Sequence, residues 1–178
     1  MPSYKATARE WVRDFVKALI FFLILQTYFI QGFVIEGACM EPQLYSREKI
    51  MVNKLIYLLH APRRGEVVVF SFPLDTAKDF IKRVVGVPGD VIEVANGYLY
   101  RNGQRLAEPY VKEYIFGAYG PIRVPPGQVC VMGDNRNNSH DSRAWGMLDL
   151  AQVKGRAELK FWPPWTVGWI VSYDDQPS

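Results

Sequence analysis

The hydrophobic pattern changes its rhythm once, near residue 36. Residues 1–17 mix apolar positions with charge: Lys5, Arg9, Arg13 and Lys17 stand against Glu10 and Asp14. From Ala18 to Ile35, eighteen residues, the chain carries no formal charge. As a helix, such a run rises about 27 Å, close to the thickness of a bilayer core. Gln26, Thr27 and Gln31 make it less greasy than most spans, and Trp11 and Tyr28 suit the two interfaces. The pattern predicts a cytoplasmic segment over 1–17, a transmembrane helix over 18–35 and an outer domain over 36–178. The basic residues before the span set that orientation, modestly opposed by Arg47, Lys49 and Lys54 beyond it. Other readings stand beside this one. A cleaved signal peptide lacks its small-x-small site. A lipoprotein signal ending at Gly37-Ala38-Cys39 has Glu36 where an aliphatic residue belongs. A buried core helix remains the plainest alternative.

Past Leu44 the rhythm turns to short β segments. Lys49 to Val52 is a strand candidate, Asn53 to His60 a turn or short helix, and Pro62-Arg63-Arg64-Gly65 a turn. Val67 to Phe72 is a nearly continuous apolar run and reads as a buried strand. Pro73 to Lys78 reads as a loop and Asp79 to Val87 as a strand closed by Pro88-Gly89-Asp90. Val91 to Ala95 and Tyr98 to Tyr100, joined by Asn96-Gly97, carry the strongest hairpin signal. Asn102-Gly103 repeats that turn chemistry. Residues 107–121 read as an irregular excursion, Gln128 to Met132 as a strand, 133–146 as a polar loop, and Gln152 to Phe161 as a last strand ended by Trp162-Pro163-Pro164-Trp165. Many short strands with turns between them predict a mainly β, antiparallel sheet domain.

Composition narrows the function classes. About 140 residues follow the apolar segment, enough for one domain with a sizeable core. A net charge of +3 is too mild to argue for nucleic acid, and no stacking platform of aromatic and basic residues is present. Two cysteines, Cys39 and Cys130, are too few for a disulfide framework. His60 and His140 have no cysteine at metal-ligand spacing, so neither a zinc site nor another cofactor is expected.

Three stretches carry candidate chemistry. On a strand, Phe80, Lys82 and Val84 share one face while Arg83 turns to the other. A lysine on an apolar face has its charged form disfavoured and can act as a neutral general base; on a solvated face it is an ordinary surface lysine. Cys39 follows the small residues Gly37 and Ala38 and precedes Met40, Glu41 and Pro42. There it is either a nucleophile in a tight turn, with a backbone amide for an oxyanion, or a buried structural cysteine. The loop from Gly133 is the densest polar stretch: Asp134, Asn135, Ser139, Asp141, Ser142 and Arg143. It is either a network that orients a base, with an Asp141–Arg143 ion pair, or a solvated loop.

In this order, and behind an apolar segment, the three stretches resemble the bacterial type I signal peptidases, serine–lysine membrane proteases that remove signal peptides from exported preproteins. The pattern Gly-x-Ser-Met-x-Pro-Thr-Leu is matched in spacing by Gly37-Ala38-Cys39-Met40-Glu41-Pro42-Gln43-Leu44. Lys82 through Asp90 matches Lys-Arg-hydrophobic-x-Gly-x-Pro-Gly-Asp, and Gly133 through Gly146 matches the family's third motif at every fixed position. The resemblance implies a β domain beside the membrane, Lys82 as base, Ser139 orienting it, and Asp141 and Arg143 stabilising the site. It also implies oxyanion stabilisation by the residue 39 N–H, extended substrates with small residues one and three positions before the cut, and membrane lipid and the secretion machinery as partners.

The departure that matters is Cys39, where the family has serine; Gln43 in place of threonine is a lesser one. A thiol ionises far more readily than a hydroxyl. Reference ionisation of the two groups favours thiolate with ammonium, whereas burial favours thiol with amine. The expected function is a signal peptidase working through a Cys39–Lys82 thioester route. The other class consistent with Cys39 is a catalytically silent relative that binds exported peptides without cutting them.

Overall fold

The computed structural model describes residues 8–28 and 30–173, the side chains of residues 8, 23–28 and 30 excepted. The expectations for residues 1–7 and 174–178 lie outside the described residues. The chain opens with helix α1 (Ala8–Tyr28) and then strand β1 (Ile30–Val34). The 18–35 span is therefore corrected. The helix takes in the charged residues Arg9 to Lys17, and the charge-free run is divided between helix and strand. Residues 30–34 leave the helix because they pair with β2 (Lys49–Asn53) in antiparallel register, Ile30 opposite Asn53 and Val34 opposite Lys49. Among the described residues, no helix is long and apolar enough to cross a membrane.

Beyond β2 the fold is mainly β. A single turn of helix, α2 (Ile56–Leu59), leads to β3 (Val67–Phe72) and the long β4 (Asp75–Gly86). β4 starts within the stretch expected to be a loop, because β3 and β4 turn directly into one another, with Phe72 opposite Asp75. The Asn96-Gly97 hairpin joins β5 (Val91–Ala95) to β6 (Tyr98–Arg101), and the second turn adds β7 (Gln104–Arg105). The 107–121 excursion ends in β8 (Tyr119–Arg123), which pairs with β5. β9 (Gln128–Met132), helix α3 (Ser142–Trp145), β10 (Leu148–Asp149), β11 (Val153–Trp162) and β12 (Gly168–Trp169) complete the chain.

All pairings are antiparallel. One sheet runs β1-β2-β11-β3-β4-β9-β10 with β12 on β11; a smaller one runs β7-β6-β5-β8. Strand alternation explains how continuous apolar runs fill two sides at once. Val67 and Val69 join Met40, Leu44, Ile50 and Val52 in one core, while Val68 and Phe70 join Val84, Val129 and Val131 in another. A third core packs Ile92, Val94 and Leu99 of the small sheet on Val85, Cys130 and Met132. Each fully buried aliphatic side chain contributes about 1.5–3 kcal/mol. Together these cores hold β4 from both sides, and β4 carries Lys82.

Candidate active site

The turn holding Cys39 is fixed by its neighbours. Ile35 N donates to Glu48 O, and Arg47 N to Ile35 O, which closes the 35–48 loop at its base. Met40 and Leu44 are fully buried in the first core and peg the turn to the sheet. The peptide bond before Pro42 is cis. Cys39 itself is half-buried, between the apolar floor and open space. Among the described residues its backbone N–H donates to nothing.

Lys82 comes to this thiol from β4. Its Nζ lies 2.9 Å from Cys39 Sγ and 3.0 Å from Ile81 O, and Cys39 Sγ points at the same carbonyl at 3.8 Å. Lys82 is 3% exposed, sits over the Phe80 ring at 5.2 Å, and pairs with no carboxylate among the described residues. Around that buried amine stand one thiol, one backbone carbonyl and the face of one aromatic ring.

The loop from Gly133 holds the turn from the other side. Asn135 N donates to Cys39 O at 3.0 Å, and Asn135 Nδ2 to Ala38 O at 3.1 Å. A Cβ on Gly133 would stand 2.5 Å from Cys39 O and 2.3 Å from Ser139 Oγ, so only glycine lets the three elements meet. Asp141 accepts from Gly133 N at 3.1 Å and from Arg143 Nε and Nη2 at 2.9 and 2.8 Å. Burial alone would push its carboxyl up; the Arg143 guanidinium and the Gly133 N–H outweigh burial and hold it below the usual carboxylate range. Ser142 Oγ accepts from Val131 N and docks the loop on β9. Ser139 differs from its expected role. Its Oγ is buried and none of the described groups meets it with hydrogen-bond geometry, Lys82 included, although its dipole helps hold the Asp141 carboxyl down.

On the opposite face of β4, Arg83 is fully buried, where strand alternation had simply turned it away from Lys82. It forms a two-point ion pair with Asp134, Nε to Oδ1 at 2.8 Å and Nη2 to Oδ2 at 2.7 Å. It also donates to Gly65 O, Val171 O and Gln43 Oε1. Sequence reasoning missed this cluster, and also Arg136, which is buried and paired with Glu108 of the 107–121 excursion. The cue for Gln43 was its departure from the family pattern; Gly65, Glu108 and Val171 left no sequence signal.

A groove of about 590 Å³ runs past the thiol, walled by residues 33–39 on one side and 77–82 on the other, with Asn138 and His140 at its end. β9 pairs with β4 only from Arg83 onward, so the edge of β4 facing this groove carries no strand among the described residues. Of the residues singled out in the sequence, Gly37, Ala38, Cys39 and Lys82 line the groove; Met40 and Pro42 support the turn; Asp134, Asn135, Ser139, Asp141 and Arg143 stand behind it. A larger hollow of about 1030 Å³ lies between 97–98 and 105–116 and contains none of them. Among the described residues no cluster of histidine, cysteine and carboxylate could hold a metal ion.

The sequence profile of the family described as "Signal peptidase, peptidase S26" matches residues 8–162. "Probable signal peptidase I-2" of Synechocystis sp. is 40% identical over 165 residues, 89% of this chain and 75% of that protein. "Probable signal peptidase I-1" of the same organism is 36% identical across 100% of this chain and 94% of that protein. "Signal peptidase I P" of Bacillus subtilis subsp. natto is 34% identical over 89% of this chain and 91% of that protein. A crystal structure of a signal peptidase I from Enterococcus faecalis V583 aligns with 53% of this chain and 95% of its own, at 29% identity and a TM-score of 0.46.

Proposed function

Because the chain belongs to the signal peptidase family, peptidase S26, we propose that it cleaves preproteins by acyl transfer to Cys39, with Lys82 as general base. Cleavage of signal peptides is the activity of this family, and it is the activity of this chain. The observation that carries the assignment of residues is the 2.9 Å contact of Lys82 Nζ with Cys39 Sγ inside an open groove.

The route follows from the groups present. A substrate strand lies along the free edge of β4, between residues 36–38 and 78–82, with small side chains toward the narrow floor. Cys39 Sγ attacks the scissile carbonyl carbon while its proton passes to the Lys82 amine. The N–H of Cys39, which meets no acceptor among the described residues, is available to the developing oxyanion. The tetrahedral intermediate collapses, the C–N bond breaks, and Lys82 returns the proton to the departing amine. Water, deprotonated by Lys82, then adds to the thioester carbonyl. The signal peptide leaves with a carboxylate, and the thiol is restored. Asp141, Arg143 and Asn135 keep the turn and the base in register rather than exchanging protons.

A membrane-side location accords with the exposed apolar surface. Trp11, Phe15, Leu19 and Phe22 stand out along one side of α1, and Trp165 and Trp169 at the far end of β11 and β12. We read these as lipid-facing, with the groove close to the bilayer where preproteins leave the secretion machinery.

The test is cleavage of a preprotein by the purified chain beside Cys39→Ala and Cys39→Ser. Cleavage after a small-x-small site that Cys39→Ala abolishes supports the thiol as nucleophile. An inert chain revived by Cys39→Ser means the thiol has silenced a serine scaffold. If none of the three cuts under reducing conditions, the chain binds exported peptides without processing them.

A further inference from the structure

The C-terminal segment leaves β12 and crosses behind the site. Ile170 N donates to Glu158 O and ties the start of the segment to β11. Val171 O accepts from Arg83 Nη1 at 3.0 Å and from Gln43 Nε2 at 3.2 Å. The Tyr173 ring packs at a tilt of 38° against Tyr110, centroids 4.8 Å apart, and the Arg83 guanidinium lies 5.2 Å from the Tyr173 ring. The Tyr173 backbone packs so closely on residue 65 that a Cβ there would stand 1.8 Å from its carbonyl oxygen.

A guanidinium has five N–H bonds, and Arg83 places all five. Two go to Asp134 and one each to Gly65 O, Gln43 Oε1 and Val171 O. Gln43 and Val171 thus supply two of the five acceptors, and they also bond each other. Arg83 and two of its partners, Asp134 and Gln43, belong to elements that carry part of the site. Arg83 is the next residue after Lys82, Asp134 precedes the Asn135 that holds Cys39 O, and Gln43 lies in the turn that begins at Cys39. A shorter threonine at position 43 could not span both Arg83 and Val171.

We propose that Gln43 and the strap at 170–173 are positioning elements for the Cys39–Lys82 pair, acting through Arg83. The strap closes the back of the guanidinium, and Gln43 passes that constraint into the nucleophile turn. This inference rests on the dyad reading above. It assigns Gln43, Val171 and Tyr173 no contact with substrate.

The experiment compares the full chain with Gln43→Met, Tyr173→Ala, Tyr173→Phe and a chain ending at Trp169. Two readouts are taken well below each variant's melting temperature: kcat and KM for preprotein cleavage, and the pH profile of Cys39 alkylation by iodoacetamide. Misplacement of a reacting group by about an ångström costs roughly a hundredfold. Gln43→Met and the truncated chain are expected to lose about ten- to a hundredfold in kcat with KM nearly unchanged, and to shift the alkylation profile. Tyr173→Phe keeps the ring and recovers what Tyr173→Ala loses. Gln43→Met in the shortened chain falls no further than the shortened chain alone, since both remove acceptors from one guanidinium.

The proposal is overturned if kcat and the alkylation profile of the shortened chain and Gln43→Met stay within twofold of the full chain. It is also overturned if only KM moves, or if the two losses simply multiply. Where the shortened chain does not fold, the Tyr173→Ala and Tyr173→Phe pair decides. If Cys39→Ala cuts as well as the full chain, the dyad reading fails and takes the strap with it. If Cys39→Ala is inert and the strap variants are normal, the strap alone fails. If the full chain cuts nothing, the alkylation profile decides the strap by itself.

Discussion

The two faces of β4 treat adjacent cations in opposite ways. Arg83 meets five acceptors, two of them the oxygens of its Asp134 ion pair, and two aromatic rings. Lys82, one residue earlier and almost as deeply buried, meets a thiol, one carbonyl and one aromatic ring, and no carboxylate among the described residues. Ser139, in the loop beside Gly133, has a buried hydroxyl that meets no described group with hydrogen-bond geometry. A satisfied network of this kind resists change, because any movement strands a buried donor. Lys82, held by fewer partners and lining the groove, is the group that the proposed dyad uses to carry a proton. On the proposed reading, the reactive face is thus built against a back face that is costly to move.

The comparison breaks most visibly at Lys82. Lys82→Ala is expected to lower cleavage by about a thousandfold while leaving thermal stability nearly unchanged, since removing a poorly partnered buried amine strands little. Kinetics and a melting curve on the same sample check both halves, and near-normal turnover would sink the proposed dyad. Asp134→Ala should do the reverse to stability. It leaves the Arg83 guanidinium buried without its carboxylate, at a cost of about 3–5 kcal/mol. That corresponds to a fall of roughly 10 °C in melting temperature for a chain this size. A drop of only a degree or two would mean that the back face is not the rigid one.

How much of this could be read from the sequence depends on how local each cause is. The Asn96-Gly97 hairpin and the Val67 to Phe72 strand are short-range events, and both form where the pattern puts them. The meeting of Cys39 and Lys82, forty-three residues apart, was reachable only through motif spacing. Arg83 was not legible, because its partners come from positions 43, 65, 134 and 171 and leave no periodic mark. The span over 18–35 misled for a related reason. Freedom from charge measures apolarity, not geometry, and pairing of Ile30 to Val34 with β2 is a tertiary choice. Helix α3 in the polar loop, at four residues, is too short to print a period.

The Asp141–Arg143 pair lies between the two extremes and sharpens the comparison through pH. Arg143 is partly exposed, whereas the Asp141 side chain is fully buried. Arg143→Gln should therefore cost less than Asp134→Ala, about 2 kcal/mol. The folded-state carboxyl of Asp141 is held below its unfolded value. Its stabilisation is therefore present above about pH 4 and is lost as pH falls through the lower folded value. Without Arg143, burial is opposed only by the Gly133 N–H and the Ser139 dipole, the carboxyl rises, and acid destabilisation should begin at a higher pH. Urea midpoints measured from pH 3 to 7 for both chains test this; parallel curves would remove Arg143 from the account.

The smallest expected effect is at the second cysteine. Cys130 sits on β9 opposite Gly86, fully buried in the third core, and burial pushes its thiol up to about 12. At pH 8 almost none of it is thiolate, and the reagent has no path to it. Cys39 is half-buried, faces the groove, and has the Lys82 amine 2.9 Å away. Iodoacetamide should therefore add one label per folded chain, at Cys39, with loss of cleavage in step. The second label should appear only when urea unfolds the third core. Cys130→Ala should change turnover by less than twofold, since Cys130 touches nothing in the groove. Intact mass and peptide mapping after a timed exposure separate the two sites. Equal labelling of Cys130 in the folded chain would mean that the third core opens on the timescale of catalysis, and the contrast between a fixed scaffold and a reactive face would fail there.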